Sequence, residues 1–272
     1  MGDKLSPRGV FDTHAHYTDE RFAAEFEGGA DAAIRKCFAD GMAGIINVGT
    51  NLDNSRRAVM QAKNYPLMYA AVGIHPSDIG MSGGFDEEMS ALSELLGKRK
   101  EDGIVALGEI GLDYHWQPYD RELQAKYFDA QLALARDADI PVIIHDREAH
   151  GDCFEAVLRH PGVRGVFHSY SGSAEMALEL CRRGFYISFS GTVTFKNARH
   201  VRSVVEEVPR DRILVETDCP YLAPEPFRGR LNYSAYAAYT AGMIGEVLGL
   251  SQRDAAEMTC KNAKELFGLP NE

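Results

Sequence analysis

The chain has 272 residues, and the 45% that are hydrophobic suffice for a sizeable core in one domain spanning 1–272. Its formal net charge of −11 argues against a basic protein that reads nucleic-acid sequence, because an acidic surface repels phosphate at long range. The five cysteines include no CxxC pair, and neither an apolar leader nor a run of ~18 apolar residues occurs, so we expect a cytoplasmic protein without membrane segments.

Eight short apolar runs recur along the chain, separated by stretches with helical periodicity. Each run is rich in Val, Ile, Phe or Tyr and is apolar almost throughout, which is typical of parallel strands covered on both faces. The runs occupy residues 9–14, 44–50, 67–76, 103–113, 141–146, 165–172, 185–191 and 213–220. The alternation predicts an α/β fold in which eight βα units close into a (β/α)8 barrel. An open doubly wound sheet is the alternative, although no GxGxxG motif follows the first run.

The stretches between these runs predict helices, among them 31–41, 120–140 and 173–184. The helix over 120–140 has an apolar stripe, which predicts its buried face. This stripe comprises Leu123, Tyr127, Ala130 and Leu134. The segment 232–269 is interpreted as two further helices packed on the outside.

Candidate metal ligands lie at the ends of five of the eight runs. They are His14 and His16 on the first, Glu109 on the fourth, His145 on the fifth, His168 on the sixth and Asp218 on the eighth. Strand carboxyl ends meet at one mouth of a parallel barrel, and residues i and i+2 of a strand face the same side. A single histidine at a strand end is more often an ordinary core residue, but the recurrence on five runs favours a metal site.

The residue types also indicate which ions would bind. Four imidazoles and two carboxylates, without a cysteine, suit divalent ions such as Zn²⁺, Mn²⁺, Mg²⁺, Ni²⁺ or Co²⁺. Six ligands exceed what one catalytic ion needs, because one position must stay open for water. Two ions about 3.5–4 Å apart, bridged by a carboxylate, would use the whole set.

Six segments of the chain, in order, are similar to the motifs of the TatD family of metal-dependent deoxyribonucleases. They are "FDTHAHYTD", "YAAVGIHPSD", "GEIGLDYHW", "PVIIHDREAHGD", "FHSYSG" and "LVETDCPYLAPEPFRGRLN", between Phe11 and Asn232. The resemblance covers nearly the whole chain. It implies a distorted TIM barrel of the metallo-dependent hydrolase type and hydrolysis of DNA phosphodiesters with divalent metal.

The resemblance also implies a role for each ligand. One ion would be held by four residues, namely His14, His16, Glu109 and Asp218. The second ion would be held by Glu109, His145 and His168, so that Glu109 bridges the pair. Beyond the resemblance, we expect a metal-activated hydroxide to attack phosphorus, with Asp218 orienting that water and accepting its proton. Asp218 and the bridging Glu109 are therefore the candidate catalytic residues.

Four residues are candidate substrate contacts, because histidine and arginine can bind phosphate. They are His75 at the end of the third run, Arg147 after His145, and Arg228 and Arg230 in "FRGRLN". An ion pair with a neighbouring carboxylate is the alternative for Arg147, and a solvated loop is the alternative for Arg228 and Arg230. Tyr114 and Trp116 are interpreted as packing residues, with stacking on a base as the alternative.

The chain departs from the family pattern in two places. The family usually has "HCFSG" where this chain has Ser169–Tyr170, and Glu-Pro where it has Tyr233–Ser234. The second change falls on a loop expected to border the substrate, so it bears on substrate preference rather than on the ligands.

The sequence thus predicts a divalent-metal-dependent deoxyribonuclease. We expect an exonuclease that acts as a monomer on single-stranded or end-bound DNA, with two metal ions. One alternative is an amidohydrolase-type enzyme acting on a small lactone, amide or phosphoester. A second alternative is a scaffold that binds a partner without catalysis.

Overall fold

The computed structural model describes residues 5–270. Its eight strands belong to one sheet, in which neighbouring strands follow chain order from β1 to β8. The strands are β1 (Phe11–Ala15), β2 (Gly44–Val48), β3 (Met68–Val72), β4 (Ile104–Asp113), β5 (Val142–Arg147), β6 (Gly165–Phe167), β7 (Tyr186–Phe189) and β8 (Ile213–Val215). This order confirms the predicted (β/α)8 barrel and excludes the doubly wound alternative, whose strand order reverses.

Helices separate the strands, as predicted, and two more helices follow β8. They are α1 (Arg21–Glu25), α2 (Gly29–Ala39), α3 (Leu52–Ala62), α4 (Phe85–Gly97), α5 (Arg99–Asp102), α6 (Arg121–Asp137), α7 (His150–Arg159), α8 (Ala174–Arg182), α9 (Arg199–Glu207), α10 (Ala237–Leu248) and α11 (Gln252–Phe267). The prediction of two helices over 232–269 is therefore confirmed. Among the described residues, no helix is long and apolar enough to cross a membrane.

β6 and β8 are only three residues long, much shorter than their apolar runs predict. β6 ends at Phe167 and β8 ends at Val215, although both runs extend several residues further. The chain leaves the extended conformation at Ser169 and at Asp218, whose φ angles are 41° and 57°. The segments after both strands are nevertheless largely buried, and this burial explains why they look like strand continuations in the sequence.

The contacts within the described chain divide it into two compact units. The first unit comprises the described residues up to Ile46 and those from Ser169 onward. In it, β7 and β8 pair in parallel with Ile187 opposite Ile213, and α11 packs against β1 and β8. Ser251 begins α11 by accepting a hydrogen bond from the Asp254 amide at 3.1 Å.

The second unit comprises Asn47–His168 and contains β3 to β6. Its strands are parallel, and Ile144 of β5 lies opposite Ile110 of β4 and Phe167 of β6. These three side chains are fully buried. The continuous burial of these strands matches their unbroken apolar sequence.

The buried face of α6 coincides only in part with the predicted stripe, of which Tyr127 is buried and Ala130 and Leu134 are half-buried. Leu123 of the predicted stripe is 39% exposed, whereas Gln124 and Gln131 are buried. The Gln124 amide bonds to both backbone groups of Asp113 at 2.9 Å, and the Gln131 amide bonds to both backbone groups of Ile74 at 2.8 and 3.1 Å. The two glutamines take buried positions because they satisfy backbone groups at the end of β4 and just after β3, a polar role that an apolar pattern does not reveal.

A buried carboxylate fixes the loop before α4 in the second unit. Glu88 is fully buried and accepts the Tyr127 hydroxyl at 2.8 Å. It also accepts the backbone amides of Gly80 at 3.2 Å and Ser82 at 2.9 Å. Three donors therefore compensate the desolvation of this charge, and they connect the loop to both α4 and α6.

Candidate metal centre

The first unit brings three of the predicted ligands together, namely His14, His16 and Asp218, which we call the first cluster. The Nε2 atoms of the two histidines lie 2.9 Å apart. Asp218 Oδ1 lies 3.3 Å from Nε2 of His16 and 3.7 Å from Nε2 of His14. One donor atom from each residue therefore faces a common point, as the HxH spacing on β1 predicts.

The backbone after β8 positions Asp218 next to β1. The Asp218 amide donates to the His14 carbonyl at 2.9 Å, and the His16 amide donates to the Cys219 carbonyl at 2.7 Å. A parallel bridge also joins Ala15 to Cys219. The segment therefore runs beside the end of β1, and the left-handed backbone at Asp218 directs its carboxylate toward both imidazoles.

Asp12 supports this arrangement from inside the unit, a role that the sequence analysis missed. It is fully buried and accepts the Thr217 hydroxyl at 2.6 Å and the Thr217 amide at 2.9 Å. It also accepts the His14 amide at 3.2 Å. Burial raises the pKa of Asp12 to about 7, although these hydrogen bonds oppose the increase. The Asp-x-His-x-His alternation on β1 was the available signal.

The second unit brings three further predicted ligands together around Glu109, and we call Glu109, His145 and His168 the second cluster. Glu109 Oε1 lies 2.8 Å from Nδ1 of His145 and 2.8 Å from Nε2 of His168. Those two ring nitrogens are 3.3 Å apart. Glu109 is only 4% exposed, so its carboxylate is held among imidazoles and away from bulk water.

Close strand approach in the second unit sets the position of His145. Gly111 of β4 lies opposite His145 of β5. A Cβ atom at Gly111 would collide with the His145 carbonyl oxygen, and the φ angle of Gly111 is +145°. Only glycine satisfies both conditions, so this residue allows β5 to carry His145 next to Glu109. The His168 amide then donates to the Ile144 carbonyl at 3.0 Å, which places His168 beside them.

Asp113 contacts the far side of His145, and the sequence analysis assigned it no role. Its Oδ2 atom lies 2.9 Å from Nε2 of His145. Burial raises the pKa of Asp113, but hydrogen bonds from His145 and from backbone amides outweigh burial and lower the pKa to about 2. Burial lowers the pKa of His145, while the hydrogen bonds with Asp113 and Glu109 raise it above its usual value. A carboxylate on one imidazole nitrogen orients the other nitrogen toward a metal position.

His75, predicted as a substrate contact, lies beside the second cluster. Its Nε2 atom is 3.7 Å from Glu109 Oε1, and its ring meets the His145 ring edge-on at 4.3 Å. Burial and the adjacent His145 charge lower the pKa of His75 to about 4. One donor atom each from His75, Glu109 and His145 lies within 4.8 Å of the others, so the geometry also permits a ligand role for His75.

The three predicted arginine contacts are exposed. Arg147 ends β5 and forms no ion pair within the part of the chain that the structure describes, which argues against the ion-pair alternative. The Arg228 guanidinium lies over the Phe195 ring, 4.5 Å from its centroid. Arg230 lies two residues further along the same exposed turn. Their roles as phosphate contacts stay predictions.

Three of the four residues that depart from the family pattern are buried, and the fourth, Ser169, is half-buried. Tyr170 is 4% exposed, and its hydroxyl donates to the Ser173 carbonyl at 2.8 Å. Tyr233 and Ser234 are 8% and 0% exposed, and Ser234 accepts the Tyr17 hydroxyl at 2.9 Å. The changes at Tyr170, Tyr233 and Ser234 therefore affect internal packing.

The donor atoms of both clusters fit a divalent metal ion. Each cluster combines imidazole nitrogens with a carboxylate oxygen and contains no cysteine. Such mixed nitrogen and oxygen sets suit Zn²⁺, Mn²⁺, Ni²⁺ or Co²⁺. Burial of the ligands and the Asp113 contact to His145 add the outer support that metal sites usually have.

Comparison with known proteins agrees with this chemistry. The chain is 40% identical over 264 residues to an uncharacterized metal-dependent hydrolase, YabD, of Bacillus subtilis, covering 96% of this chain and 99% of that protein. It is 39% identical over 200 residues to an uncharacterized metal-dependent hydrolase, YcfH, of Escherichia coli, covering 72% of each. The crystal structure of YjjV, a TatD homologue from E. coli, matches with a TM-score of 0.88 and 30% identity, covering 97% of this chain and all of that one.

A comparison with protein-family models gives a match over nearly the whole chain. The model of the TatD-related DNase family matches residues 11–268, which include every ligand of both clusters. The relatives and the imidazole–carboxylate clusters support a metal-dependent hydrolase that uses a divalent metal. On this match, the chain belongs to the TatD-related DNase family.

Proposed function

We propose that the protein is a deoxyribonuclease that cleaves phosphodiester bonds with two divalent metal ions. The first and second clusters would together hold these ions, with Glu109 as the bridging carboxylate. We infer an exonuclease that acts on single-stranded or end-bound DNA. Family membership and the chemistry of the six ligands support this proposal.

The observation that carries the proposal is the environment of Glu109. One of its oxygens lies 2.8 Å from a nitrogen of each of two histidines, and its side chain is nearly excluded from solvent. A buried carboxylate is costly unless charged or polar partners compensate it. A bridging role between two cations would use this placement of an unmodified glutamate side chain.

In the proposed hydrolysis, the metal ions and the protein side chains have separate roles. When bound, divalent ions lower the pKa of water and offset charge on phosphoryl oxygens. In our proposal Asp218 orients the attacking water and accepts its proton at a carboxylate oxygen. Its side chain is 17% exposed, compared with 0% for His14, so water can reach it. His75 and the exposed arginines, Arg147, Arg228 and Arg230, would hold the phosphate.

The experiment that tests this function combines metal analysis with cleavage assays. The purified protein, loaded with Mn²⁺ or Zn²⁺, is given end-labelled single-stranded DNA, a model phosphodiester, a small phosphomonoester and a panel of lactones and cyclic amides. We expect about two ions per chain and stepwise shortening of the DNA. Turnover of a lactone or amide without DNA cleavage would favour the amidohydrolase-type alternative.

A substitution at Glu109 tests the role of the bridging residue. Glu109→Gln keeps the shape of the side chain but removes its charge, so we expect loss of metal-dependent cleavage and of bound metal. Glu94→Gln is the matched control, because Glu94 is an exposed residue of α4. Cleavage by folded Glu109→Gln at the parental rate would contradict the proposal. Failure of the parental protein to take up any divalent ion would favour the non-catalytic scaffold.

Three further parts of the proposal concern the domain organisation, the cytoplasmic location and the oligomeric state of the protein. We propose that 1–272 works as a single domain, since one family model spans both compact units. All five cysteines are free thiols, which suits the reducing cytoplasm. We propose that the enzyme acts as a monomer, which light scattering of the purified protein would test.

A further inference from the structure

The second unit exposes a tryptophan close to the second cluster. Trp116 is the only tryptophan of the chain, and its side chain is 65% exposed. The packing role predicted for it is therefore wrong, whereas the same prediction is confirmed for Tyr114, which is 8% exposed. Large exposed aromatic residues are often used for recognition, because a flat ring offers much contact area at little entropic cost.

A cavity of about 280 Å³ lies beside the Trp116 ring. Part of its lining comes from Pro76, Ser77 and Ile79, which follow His75 along the chain. The rest comes from Asp113, from the segment 116–120, and from Leu123 and Gln124 of α6. Ligand pockets commonly begin at ~300 Å³, so this cavity suits one planar group rather than a whole substrate.

Hydrogen bonds hold the loop that carries Trp116 in place. Asp113 Oδ1 accepts the amides of His115 at 2.9 Å and Trp116 at 3.1 Å. Gln124 of α6 bonds to both backbone groups of Asp113. The His115 ring packs edge-on against the indole with centroids 4.8 Å apart. The indole is therefore positioned before any ligand arrives, which lowers the entropic cost of binding.

The same carboxylate joins the cavity to the second cluster. Asp113 Oδ2 lies 2.9 Å from Nε2 of His145, while Oδ1 holds the loop that carries Trp116. His75, which lies 3.7 Å from Glu109, directly precedes Pro76 of the cavity lining. A substrate with its phosphate at the cluster would therefore extend its neighbouring group toward the indole.

We propose that this cavity binds one nucleobase of the substrate, stacked on Trp116; this inference rests on the proposed function. The net charge of −11 weakens the general attraction for phosphate on which most nucleic-acid binding depends. Stacking does not depend on charge, and it accepts any base because every base has a flat π face. Trp116 thus supplies affinity that the acidic surface cannot.

The fluorescence of Trp116 provides a direct test, because no other tryptophan contributes to the signal. The metal-loaded protein is titrated with deoxyadenosine 5′-monophosphate and with deoxyribose 5-phosphate, which has the phosphate but no base. We expect the nucleotide to quench the emission and to bind more tightly than the sugar phosphate. Equal affinities for both probes, or binding of the nucleotide without a change in emission, would overturn the inference.

Variants at position 116 give a second readout by calorimetry. Trp116→Ala should weaken nucleotide binding roughly 5- to 150-fold, the range for loss of one stacked base, without affecting binding of the sugar phosphate. Trp116→Phe keeps a flat ring and should retain most of the affinity. Met60→Ala is the matched control, because Met60 is a 70% exposed apolar residue that does not line the cavity. Parental affinity in folded Trp116→Ala would overturn the inference.

Cleavage kinetics separate this inference from the proposed function. With single-stranded DNA, Trp116→Ala should raise KM and leave kcat nearly unchanged, because the indole binds substrate and does not act on the phosphate. Parental KM in this variant would overturn the base subsite while leaving the deoxyribonuclease in place. Base-dependent quenching in a protein that cleaves no phosphodiester would support the subsite and contradict the proposed reaction.

Discussion

Removing the charge of Asp113 should weaken metal binding without removing a ligand. In Asp113→Asn the amide oxygen can still accept the His115 and Trp116 amides, so the loop keeps its hydrogen bonds. The amide NH₂ group then faces Nε2 of His145, which lies 2.9 Å from the present carboxylate. His145 must accept at Nε2 and carry its proton on Nδ1, the nitrogen that faces Glu109 and His168.

The size of the expected fall in metal affinity follows from the loss of the contact between the Asp113 carboxylate and His145. Substitution of a carboxylate that orients a metal-binding histidine typically reduces metal affinity 10- to 100-fold, or about 1.4–2.8 kcal/mol. We expect the upper part of that range, because the tautomer that the asparagine favours places a proton on the nitrogen nearest the other ligands. Competition with a chromogenic chelator for Mn²⁺ measures the change directly.

Glu88→Gln provides the control for the loss of a buried charge. Like Asp113, Glu88 accepts two backbone amides and one side-chain donor, but it contacts no residue of either cluster. We expect this variant to lose stability and to retain its affinity for Mn²⁺. If Asp113→Asn, folded by circular dichroism, bound Mn²⁺ as tightly as the parental protein, the orienting role of Asp113 would be refuted.

Three further predictions concern stability and metal. Tyr127→Phe removes a 2.8 Å hydrogen bond to buried Glu88 and should lower the free energy of unfolding by about 1.5–3 kcal/mol in urea titrations; a loss below ~0.5 kcal/mol would contradict the importance of this contact. Ser251→Ala should lower the free energy of unfolding by about 1 kcal/mol, because it removes the N-terminal cap of α11. Ser251→Asn can still cap the helix and should retain the parental stability. Equal losses in the two variants would contradict the capping role. Chelation should abolish hydrolysis and lower Tm, because ions that bind only the folded state stabilise it; an unchanged Tm would speak against structural coupling of the metal.

The sequence predicts the fold well because the strands are buried on both faces. A strand such as β4 is apolar almost throughout, as parallel strands covered on both faces are. The buried face of α6 was predicted only in part, because Gln124 and Gln131 point inward to satisfy backbone groups while Leu123 is exposed. Apolar periodicity cannot show which polar residue has a buried partner distant in sequence.

The sequence likewise predicts some residues of the candidate site and misses others. The ligands are recognisable because their residue types recur at the ends of predicted strands, and each unit brings its three ligands together. Asp12 and Asp113 were missed because their roles depend on partners far along the chain, Thr217 and His145. Trp116 was misread because its exposure depends on how the loop after β4 folds, which short-range sequence patterns do not determine.

The contacts of Glu88 have a consequence for altering this protein. The loop before α4 is held through the backbone amides of Gly80 and Ser82 rather than through side chains. Every amino acid except proline supplies such an amide, so position 82 and the exposed Met81 can change identity while the loop keeps its path. Gly80, with its φ angle of 78°, is the position to leave untouched. Libraries that vary residues 81 and 82 would therefore diversify this exposed surface on an unchanged backbone.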